Sequence, residues 1–489
     1  MSDERPHVDQ PGYDPSAVTP GIVHFGVGNF HRAHQALYID KLLGAGLAQD
    51  WSICGVGVLP GDVAMRDALR DGGMRYTLVE RYPDGRAPAR SVASITEYLF
   101  APDSPEAVLE KLADPSVRIV SLTITEGGYN IDDETGRFLA HTPAIQADLV
   151  PGAVPSTVFG MVVEGLRRRR DRGIPPFTVM SCDNLPGNGT VARGSFTAFA
   201  ELRDPELAAW ITAEVSFPNC MVDRITPVTT DEVREWITET YGTRDPWPVA
   251  SEGFTQWVLE DDFPLGRPPY EQVGVQLVAD VTPYEHLKLR LLNASHQAMA
   301  YFGYLMGYRY AHEASTDPLI ARLLTSWMRD EAAPTLEPVP GVDVEDYERS
   351  LMERFANPYV RDTLLRLATD GSDRIAKFVL PVVQDRLAAG GSVELAAAIV
   401  ASWAVFARGL DEEGDSIPFI DRQADAVASA VARQSDDDPA GFLRDPRIFG
   451  DLAHDPIFAE AFTRIYRDIL SRGSRAALET LVDAPSRRK

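Results

Sequence analysis

The sequence predicts an α/β protein of two domains, with a mostly parallel sheet in the N-terminal domain and mostly α-helices in the C-terminal domain. Three observations indicate this class. The chain of 489 residues is longer than one hydrophobic core usually supports. Short β-branched and apolar runs alternate with helical patterns in its first part. From residue 284 onward nearly all periodic segments are helical, so we place the two domains at 1–283 and 284–489.

Composition and charge exclude several classes of partner. The formal net charge of -25 would repel nucleic acid and anionic membrane surfaces, so we expect a small-molecule substrate. No window is long and apolar enough to span a bilayer. Three scattered cysteines fit neither a disulfide framework nor a zinc spacing, which favours a reducing, cytoplasmic setting. We expect a monomer or a weak oligomer.

The first predicted strand, GIVHF at 21–25, leads into a glycine turn and then a helical pattern. The turn contains Gly26 and Gly28, which would let the backbone approach a pyrophosphate at the start of the helix. His31 stands where a dinucleotide fingerprint has its third glycine. The motif therefore indicates a dinucleotide site, with an ordinary glycine turn as the alternative.

A second apolar strand, from Ser52 to Leu59, ends close to Asp62. A carboxylate there would bind the ribose 2'-hydroxyl and repel a 2'-phosphate, which favours NAD over NADP. Asp62 is equally suited to cap the helix that follows it.

Later strands repeat the pattern of a buried strand that ends in a polar loop. Arg118–Thr125 ends in a Glu-Gly-Gly sequence, and Phe177–Ser181 ends in a loop with Asn184 and Asn188. Ligands of open α/β sheets bind beyond the carboxyl ends of the strands, where these loops lie. Turn formation is the alternative role of both asparagines.

Two charged features of this domain have simple structural explanations. Asp223 follows another short strand, and a surface pair with Arg224 is the alternative to a role in the site. The basic run 167–172 precedes a glycine and a proline, so we interpret it as the solvated end of a helix. A further strand is predicted at 92–99.

The C-terminal domain opens with the apolar stretch from Tyr284 to Met306, which predicts a buried helix that begins just after Pro283. On a regular helix Lys288, Asn293 and His296 fall within an arc of roughly 140°, and Glu285 lies about one turn before the lysine. A buried lysine can lose its proton and act as a general base. A lysine whose ammonium group reaches water is the alternative.

Arg366 and Arg374 flank a turn between two of the later helices. They are suited to bind hydroxyl groups or a carboxylate, and equally suited to tie helices together.

Five motifs in order resemble the polyol-specific long-chain dehydrogenases, also called the mannitol dehydrogenase family. They are GVGNFHRAH at 26–34, SLTITEGGY at 121–129, SCDNLPGNG at 181–189, MVDRITP at 221–227 and KLRLLNASH at 288–296. The resemblance implies a Rossmann-type N-terminal domain and a largely helical C-terminal domain. It also implies NAD-dependent, metal-independent oxidation of a polyol, D-mannitol to D-fructose, and the reverse ketose reduction.

The resemblance also implies roles for individual residues. Lys288 matches the catalytic lysine, Asn184 and Asn293 match the amide pair that holds the reacting oxygen, and His296 matches the histidine that orients the substrate. Glu285 matches a carboxylate that passes the proton to solvent. The residues implied for cofactor binding are Gly26, Gly28, Asn29, Phe30, Asp62 and Asp223. Those implied for substrate binding are Asn184, Asp223, Lys288, His296, Arg366 and Arg374.

Other functions fit parts of the same pattern. A hexuronate reductase acting on fructuronate or tagaturonate would use Arg366 and Arg374 to bind a carboxylate. Arg374 stands where lysine is common in the family, which bears on the choice of substrate. A D-arabinitol or sorbitol dehydrogenase and a non-catalytic dinucleotide sensor are the remaining alternatives.

Overall fold

The computed structural model describes residues 5–132, 135–435 and 437–483. The chain divides into two compact units, Met1–Thr282 (unit 1) and Pro283–Lys489 (unit 2). The boundary predicted from the sequence lies one residue from this division. The outermost ends of the two predicted domains lie outside the described residues.

Twelve strands are present in the described part of unit 1. They are β1 (Val8–Asp9), β2 (Pro20–Phe25), β3 (Ser52–Gly57), β4 (Tyr76–Arg81), β5 (Ala89–Val92), β6 (Ile95–Phe100), β7 (Ile119–Leu122), β8 (Thr178–Ser181), β9 (Cys220–Asp223), β10 (Val249–Glu252), β11 (Gln256–Glu260) and β12 (Gln276–Val278).

The α-helices of unit 1 cover the sheet and connect its strands. They are α1 (Asn29–Ala33), α2 (Gln35–Gly44), α3 (Val63–Asp71), α4 (Pro105–Ala113), α5 (Pro143–Asp148), α6 (Val158–Asp171), α7 (Asn188–Arg203), α8 (Pro205–Glu214) and α9 (Asp231–Tyr241).

Unit 1 is organised by a five-stranded parallel sheet with the order β6-β3-β2-β7-β8. The order reverses between β2 and β7, since the chain proceeds to β3 and β6 on one side and to β8 on the other. Such a reversal opens a crevice at the carboxyl ends of the central strands. The loops after β2, β7 and β8 therefore begin at the same edge of the sheet.

Side chains of alternate residues pack on opposite faces of this sheet. Val23 and Val120 belong to a core with α4, α6, α7 and α8, whereas Ile22 and Ile119 belong to a core with α2. Two smaller sheets, β1-β5-β4-β10 and β12-β11-β9, complete unit 1. The predicted α/β class with a parallel sheet is confirmed.

The predicted strand 92–99 is wrong because two strands of different sheets share that stretch. β5 ends at Val92 and β6 begins at Ile95. Between them, the N–H of Ala93 donates to Asp40 at 3.0 Å, and the Ser94 hydroxyl donates to the carbonyl of Ala36 at 2.6 Å. These bonds to α2 fix the break, while the carbonyl of Ser94 accepts from the N–H of Ile53 in β3 at 2.9 Å.

The basic run at the end of α6 also differs from its prediction. The helix ends at Asp171 as expected, but Arg169 is fully buried. Its guanidinium donates to the carbonyls of Leu112, Val117 and Pro175, among others, at 2.7–3.2 Å. Arg169 is therefore a structural residue that binds the loop before β7.

Unit 2 is helical throughout its described residues, apart from its connecting loops and isolated bridges. Its α-helices are α10 (Thr282–Leu287, beginning one residue before the division), α11 (Ala294–Leu305), α12 (Ala311–Thr316), α13 (Pro318–Ser326), α14 (Val344–Phe355), α15 (Leu364–Ala368), α16 (Gly371–Arg374), α17 (Leu380–Ala388), α18 (Glu394–Phe406), α19 (Ala424–Arg433), α20 (Pro446–Phe449), α21 (Pro456–Arg472) and α22 (Ser474–Asp483). Three segments are π-helical: π1 (Lys288–Asn293), π2 (Trp327–Ala332) and π3 (Ile375–Val379).

The long helix predicted from Tyr284 is not a regular α-helix. It consists of α10, π1 and α11, and every residue of π1 is buried. π1 packs against both π2 and π3. The indole N–H of Trp327 donates to the carbonyl of Arg290 at 3.0 Å, so a partner outside the helix occupies a carbonyl of π1. A wheel of 100° per residue therefore does not apply between Lys288 and Asn293.

A buried carboxylate joins two helical segments of unit 2. Glu331 in π2 is 1% exposed and accepts hydrogen bonds from the backbone N–H groups of Leu395 and Ala396 at 3.0 and 2.9 Å. These groups lie in the first turn of α18, whose own N-cap residue provides no side-chain bond. Burial raises the pKa of Glu331 to about 7 from an ordinary value of 4.5.

Glu331→Gln tests this cap through the pH dependence of stability. Because the pKa in the folded state is raised, wild-type stability falls as the pH rises from the unfolded pKa through the folded one. The neutral glutamine does not follow this fall. We expect the melting temperature of the variant, relative to that of wild type, to rise between about pH 5 and about pH 8. The corresponding change in the relative free energy of unfolding is up to roughly 3 kcal/mol. The exposed Glu345→Gln is the control, and equal behaviour of both variants would contradict the assignment.

Candidate active site

The glycine turn after β2 lies against the segment that follows β7. Gly26 has a φ of +92°, and a Cβ at this position would lie 2.0 Å from the carbonyl oxygen of Thr123. Only glycine permits this conformation and this approach. The Thr123 hydroxyl donates to the carbonyl of Gly26 at 2.7 Å, which fixes the turn to the end of β7.

His24 supports the turn from inside the sheet. Its ring nitrogens lie 2.8 Å from the hydroxyl of Ser121 and 2.9 Å from that of Thr123. The ring stacks on His31 with 3.4 Å between centroids. Burial lowers the pKa of His24 to about 3, so the ring is neutral at ordinary pH. His31 stands where the fingerprint has its third glycine, and its ring packs on the ring of His24 between α1 and β2.

Asn29 and Phe30 are predicted to bind the cofactor, and their side chains have partners within unit 1. The amide of Asn29 donates to the carbonyl of Pro227 at 3.1 Å and accepts from Arg32 at 2.7 Å. Phe30 stacks on His34 at 4.9 Å. Both assignments to cofactor binding stay predictions.

The turn as a whole fits a dinucleotide. A Cβ added to Gly28 would meet no atom closer than the carbonyl oxygen of Gly26 at 3.8 Å, so this side of the turn is open. The open backbone lies at the sheet edge where strand order reverses. Gly26 shapes the turn, and Gly28 leaves room for a phosphate group.

Asp62 lies just beyond the end of β3, where a ribose-binding acid is expected. One carboxylate oxygen, Oδ2, accepts from the N–H groups of Val58 and Leu59, both at 2.9 Å. Asp62 is the N-cap residue of α3 but makes no side-chain bond to that helix. Asp62 thus occupies the N-cap position of the helix, as the alternative had it, but its side chain turns back to bind the loop before it. Its role toward the ribose stays a prediction.

The loop after β8 separates the two predicted asparagines. Asn184 is exposed, whereas Asn188 is fully buried. The Asn188 amide donates to the carbonyls of Asp183 and Cys220, at 3.0 and 2.7 Å, and accepts from the Cys220 N–H at 3.0 Å. Asn188 is thus structural, and Asn184 is the asparagine that this loop presents at its surface.

Asp223 is the last residue of β9 and is 4% exposed. The neighbouring Arg224 is equally buried and donates to Glu80 at 2.6 Å and to the carbonyl of Ala33 at 2.6 Å. The alternative of a surface pair between Asp223 and Arg224 is wrong, since neither residue is at the surface.

Unit 2 contributes the lysine-bearing helix. Glu285, Lys288, Asn293 and His296 are 7%, 7%, 9% and 8% exposed. The alternative in which Lys288 extends into solvent is therefore wrong. His296 packs on Phe355 with 5.0 Å between ring centroids. Four polar side chains are thus buried within twelve residues, and the π-helical segment begins at the lysine and ends at Asn293.

The amide oxygen of Asn293 is a buried acceptor that has no hydrogen-bond partner among the described residues. An unmatched buried polar atom costs free energy, which a ligand can recover by donating to it. In contrast, Gln297 one turn later is satisfied, since it donates to the carbonyl of Leu367 at 3.1 Å and accepts from Tyr301 at 2.8 Å.

The two predicted arginines differ in their surroundings. Arg366 is exposed and forms a two-bond pair with the carboxylate of Asp362, one bond being 2.5 Å from Nε to Oδ1. Arg374 donates to the carbonyls of Arg366 and Leu367 at 3.2 and 2.9 Å. Both arginines therefore tie α15 to neighbouring residues, whatever they do toward a substrate.

Sequence reasoning missed three residues that support the loops of unit 1: His24, Tyr129 and Asp183. Tyr129 and Asp183 lie inside two of the motifs that carry the family resemblance. Their position in those motifs was the available signal. It did not reveal that the two side chains meet.

Two family descriptions match nearly the whole chain. "Mannitol dehydrogenase Rossmann domain" matches residues 20–272, and "Mannitol dehydrogenase C-terminal domain" matches residues 280–470. The chain belongs to the mannitol dehydrogenase family. The resemblance stated from the five motifs is thus confirmed.

Individual members of the mannitol dehydrogenase family match over nearly their full length. Mannitol 2-dehydrogenase of Neosartorya fischeri is 43% identical over 473 residues, which cover 96% of this chain and 94% of that protein. The solved structure of Pseudomonas fluorescens mannitol 2-dehydrogenase, a ternary complex with NAD and D-mannitol, is 46% identical, with a TM-score of 0.91 and 98% of both chains covered. A substrate-free D-sorbitol dehydrogenase structure is 40% identical with a TM-score of 0.88, covering 96% of this chain and 97% of that one.

No helix in the described ranges has both the length and the apolar character of a membrane span. Within those ranges, no three His, Cys, Asp or Glu side chains group as metal ligands would.

Asp62→Ala tests the predicted choice of cofactor. If the free carboxylate oxygen binds the ribose and repels a 2'-phosphate, we expect the ratio of kcat/KM with NADP to that with NAD to rise by at least about tenfold, or roughly 1.4 kcal/mol. Asp67→Ala on α3 is the matched control, because it removes a carboxylate whose partners are surface arginines. An unchanged ratio with Asp62→Ala would show that this residue only orders its loop.

Proposed function

We propose that this protein oxidises D-mannitol to D-fructose with NAD and catalyses the reverse reduction with NADH, without a metal ion. As a member of the mannitol dehydrogenase family, the protein is an NAD-dependent polyol dehydrogenase. The choice of mannitol and the roles of individual residues are the proposed part. The mannitol-bound relative, at 46% identity over 98% of both chains, supports that choice.

The observation that carries the mechanism is the burial of Lys288 in the same π-helical segment as Asn293, whose amide oxygen has no partner among the described residues. An amine held away from water favours its neutral form. A neutral amine can accept the proton of an alcohol, and arginine cannot substitute for it. This fits the rarity of lysine, since 42 of the 47 basic residues are arginine.

The proposed oxidation breaks one O–H and one C–H bond of a secondary alcohol. Lys288 Nζ takes the hydroxyl proton as the carbonyl forms. Bound NAD⁺ supplies the acceptor for the hydride that leaves the same carbon. In ketose reduction Lys288 starts protonated and returns the proton to the carbonyl oxygen.

Negative charge develops on the reacting oxygen as the proton leaves. We assign Asn184 and Asn293 as the amide N–H donors to that oxygen, a role that a metal ion fills in other alcohol dehydrogenases. Asn184 is exposed on its loop in unit 1, and Asn293 is buried with an unmatched oxygen in unit 2. An amide whose oxygen accepts from a neighbouring hydroxyl of the polyol presents its N–H groups to the reacting oxygen.

His296 and Glu285 complete the proposed set in unit 2. Contact with Phe355 restrains the imidazole of His296, so that it can orient a hydroxyl of the substrate. Glu285 precedes Lys288 by three residues, and both side chains are buried. We assign it to pass the lysine proton onward to solvent, as the family resemblance implies.

Lys288→Ala tests the proposed base. General acid–base groups contribute about 10²–10⁴-fold to rate, so we expect kcat for mannitol oxidation to fall by at least that range. The dissociation constant of NADH, measured by fluorescence titration, should stay within about twofold, since Lys288 is assigned no role in cofactor binding. Lys111→Ala is the control, because this lysine pairs with Glu97 at 2.6 Å in unit 1. Turnover that survives in Lys288→Ala would refute the mechanism.

The Asp362–Arg366 pair favours a neutral sugar over a hexuronate. A guanidinium already bound to a carboxylate through two bonds is compensated and attracts a second carboxylate weakly. We expect the wild type to reduce fructose with a higher kcat/KM than fructuronate. A preference for fructuronate would instead support the hexuronate reductase.

Asp362→Asn tests this explanation directly. Removing the compensating charge should raise kcat/KM for fructuronate relative to fructose by about tenfold, because the guanidinium then has no ionised partner in Asp362. Asp373→Asn is the matched control, since Asp373 pairs with Lys377 at 2.6 Å and not with Arg366. Equal ratios in both variants would show that Arg366 does not face the substrate.

A panel of mannitol, sorbitol and D-arabinitol, assayed by NADH absorbance with NAD and with NADP, decides among the remaining alternatives. The D-sorbitol dehydrogenase structure that matches this chain at a TM-score of 0.88 makes sorbitol the relevant competitor. No NADH formation with any polyol would favour the dinucleotide sensor.

A further inference from the structure

The strongest unexplained group of unit 1 is Asp183, which directly precedes Asn184 in the loop after β8. Asp183 is 7% exposed. Its carboxylate accepts three hydrogen bonds: from the Ile124 N–H at 3.1 Å, the Thr125 N–H at 2.8 Å and the Tyr129 hydroxyl at 2.7 Å. All three donors belong to the segment that follows β7.

That segment is strained at one residue. Thr125 has φ +66° and ψ 166°, a conformation that β-branched residues rarely adopt. Such a backbone persists only when surrounding contacts hold it, and strain of this kind concentrates at functional sites. The hydrogen bond from the Thr125 N–H to Asp183 Oδ1 is one contact that holds this strained backbone.

The same segment contacts the glycine turn at its other end. Thr123 donates its N–H to the carbonyl of Phe25 at 3.0 Å and its hydroxyl to the carbonyl of Gly26 at 2.7 Å. The three loops after β2, β7 and β8 are therefore joined in a row, with residues 123–125 in the middle.

Asp183 is itself held in place on the side of Asn184. Its carbonyl accepts from the N–H of Leu185 at 2.9 Å and from the amide of Asn188 at 3.0 Å. The hydroxyl oxygen of Tyr129 also lies 2.5 Å from the hydroxyl oxygen of Ser181. The carboxylate thus connects a fixed backbone, from which Asn184 extends, to the strained segment.

We propose that Asp183 is a positioning residue that sets Asn184 in register with the glycine turn by binding the backbone of Ile124 and Thr125. The inference rests on the proposed role of Asn184 as a donor to the reacting oxygen. Asp183 acts through its neighbour, and the three donors that its two oxygens accept from favour the ionised form, which is acceptor-only.

The charge of Asp183 is costly in this environment, which fits a functional role. Burial raises its pKa to about 6 from 3.8, although its three donors oppose the rise. Glu126 faces the carboxylate and raises the pKa further. Tyr129 and Cys182 also face it, and burial and neighbouring groups hold their own pKa values above the ordinary ones, so both stay neutral. Because the pKa in the folded state is raised, the ionisation of Asp183 lowers stability as the pH rises from 3.8 to about 6, and the loss is complete above that pH.

Asp183→Asn is the primary test, because its amide NH2 replaces one of the two accepting oxygens and faces a backbone N–H donor. We expect kcat for mannitol oxidation to fall by about tenfold or more, since Asn184 loses its register. The NADH dissociation constant should stay within about threefold, because Thr123 and His24 hold the glycine turn independently of Asp183. Adding Thr125→Gly should recover much of the lost kcat, because glycine adopts a positive φ without support. Wild-type kcat in Asp183→Asn would overturn the proposal.

The pH profile of ketose reduction separates positioning from a purely structural role. Low pH keeps Lys288 protonated, as reduction requires, so Lys288 does not cause a fall in kcat on the acid side. We expect such a fall near pH 6 in the wild type, absent from Asp183→Asn. In Tyr129→Phe the carboxylate keeps its charge but loses a donor, so the fall should move to higher pH. A fall that is unchanged in Tyr129→Phe would overturn the proposal, and this readout serves even if Asp183→Asn fails to fold.

Asn184→Ala distinguishes failure of this inference from failure of the proposed function. Low kcat in Asn184→Ala together with normal kcat in Asp183→Asn would reject the positioning role alone. Normal kcat in Asn184→Ala would reject the role of Asn184, and with it any action of Asp183 through that residue. Low kcat in both single variants, with no further loss in the double variant, supports the proposal.

Discussion

The close approach of Gly26 to Thr123 is the constraint on which the loops at the carboxyl edge of the parallel sheet in unit 1 depend. A side chain at Gly26 would collide with a backbone carbonyl, so glycine is required for the turn to reach the end of β7. The same turn must be open on the side of Gly28 to admit a dinucleotide phosphate. A neutral, buried His24 and the Thr123 hydroxyl hold it in this position.

Unit 2 meets a different constraint, because it must bury ionisable and polar side chains inside a helix. An α-helix would satisfy its own carbonyls, but the indole of Trp327 binds a carbonyl of π1, and π1 is wider than an α-helix. The polar side chains of this helix are buried, and its π-helical segment π1 packs against π2 and against π3. Polar groups placed in this way gain stability only from partners, and the Asn293 oxygen has none among the described residues, as suits a ligand-binding group.

Much of the fold followed from periodicity, since strands β2, β3, β7 and β8 are short β-branched or apolar runs, although β3 and β7 end two and three residues before the predicted runs do. The split between β5 and β6 did not, because Asp40 on a distant helix binds the backbone at the break. The burial of Arg169 likewise depends on carbonyls more than fifty residues away. Neither partner is visible in a local window, and both outweigh the local pattern.

Sequence by itself determined the family, the parallel sheet and the identity of the polar residues, because these properties reside in residue types and their order. It also identified Lys288 as exceptional, since a lysine in an apolar run is unusual in an arginine-rich chain. Only the tertiary structure decided that Asn188 is structural while Asn184 is exposed, and that Asp183 binds the segment after β7. Those outcomes depend on which backbone groups meet across the edge of the sheet, and hydrogen-bond partners far apart in the chain are set by folding alone.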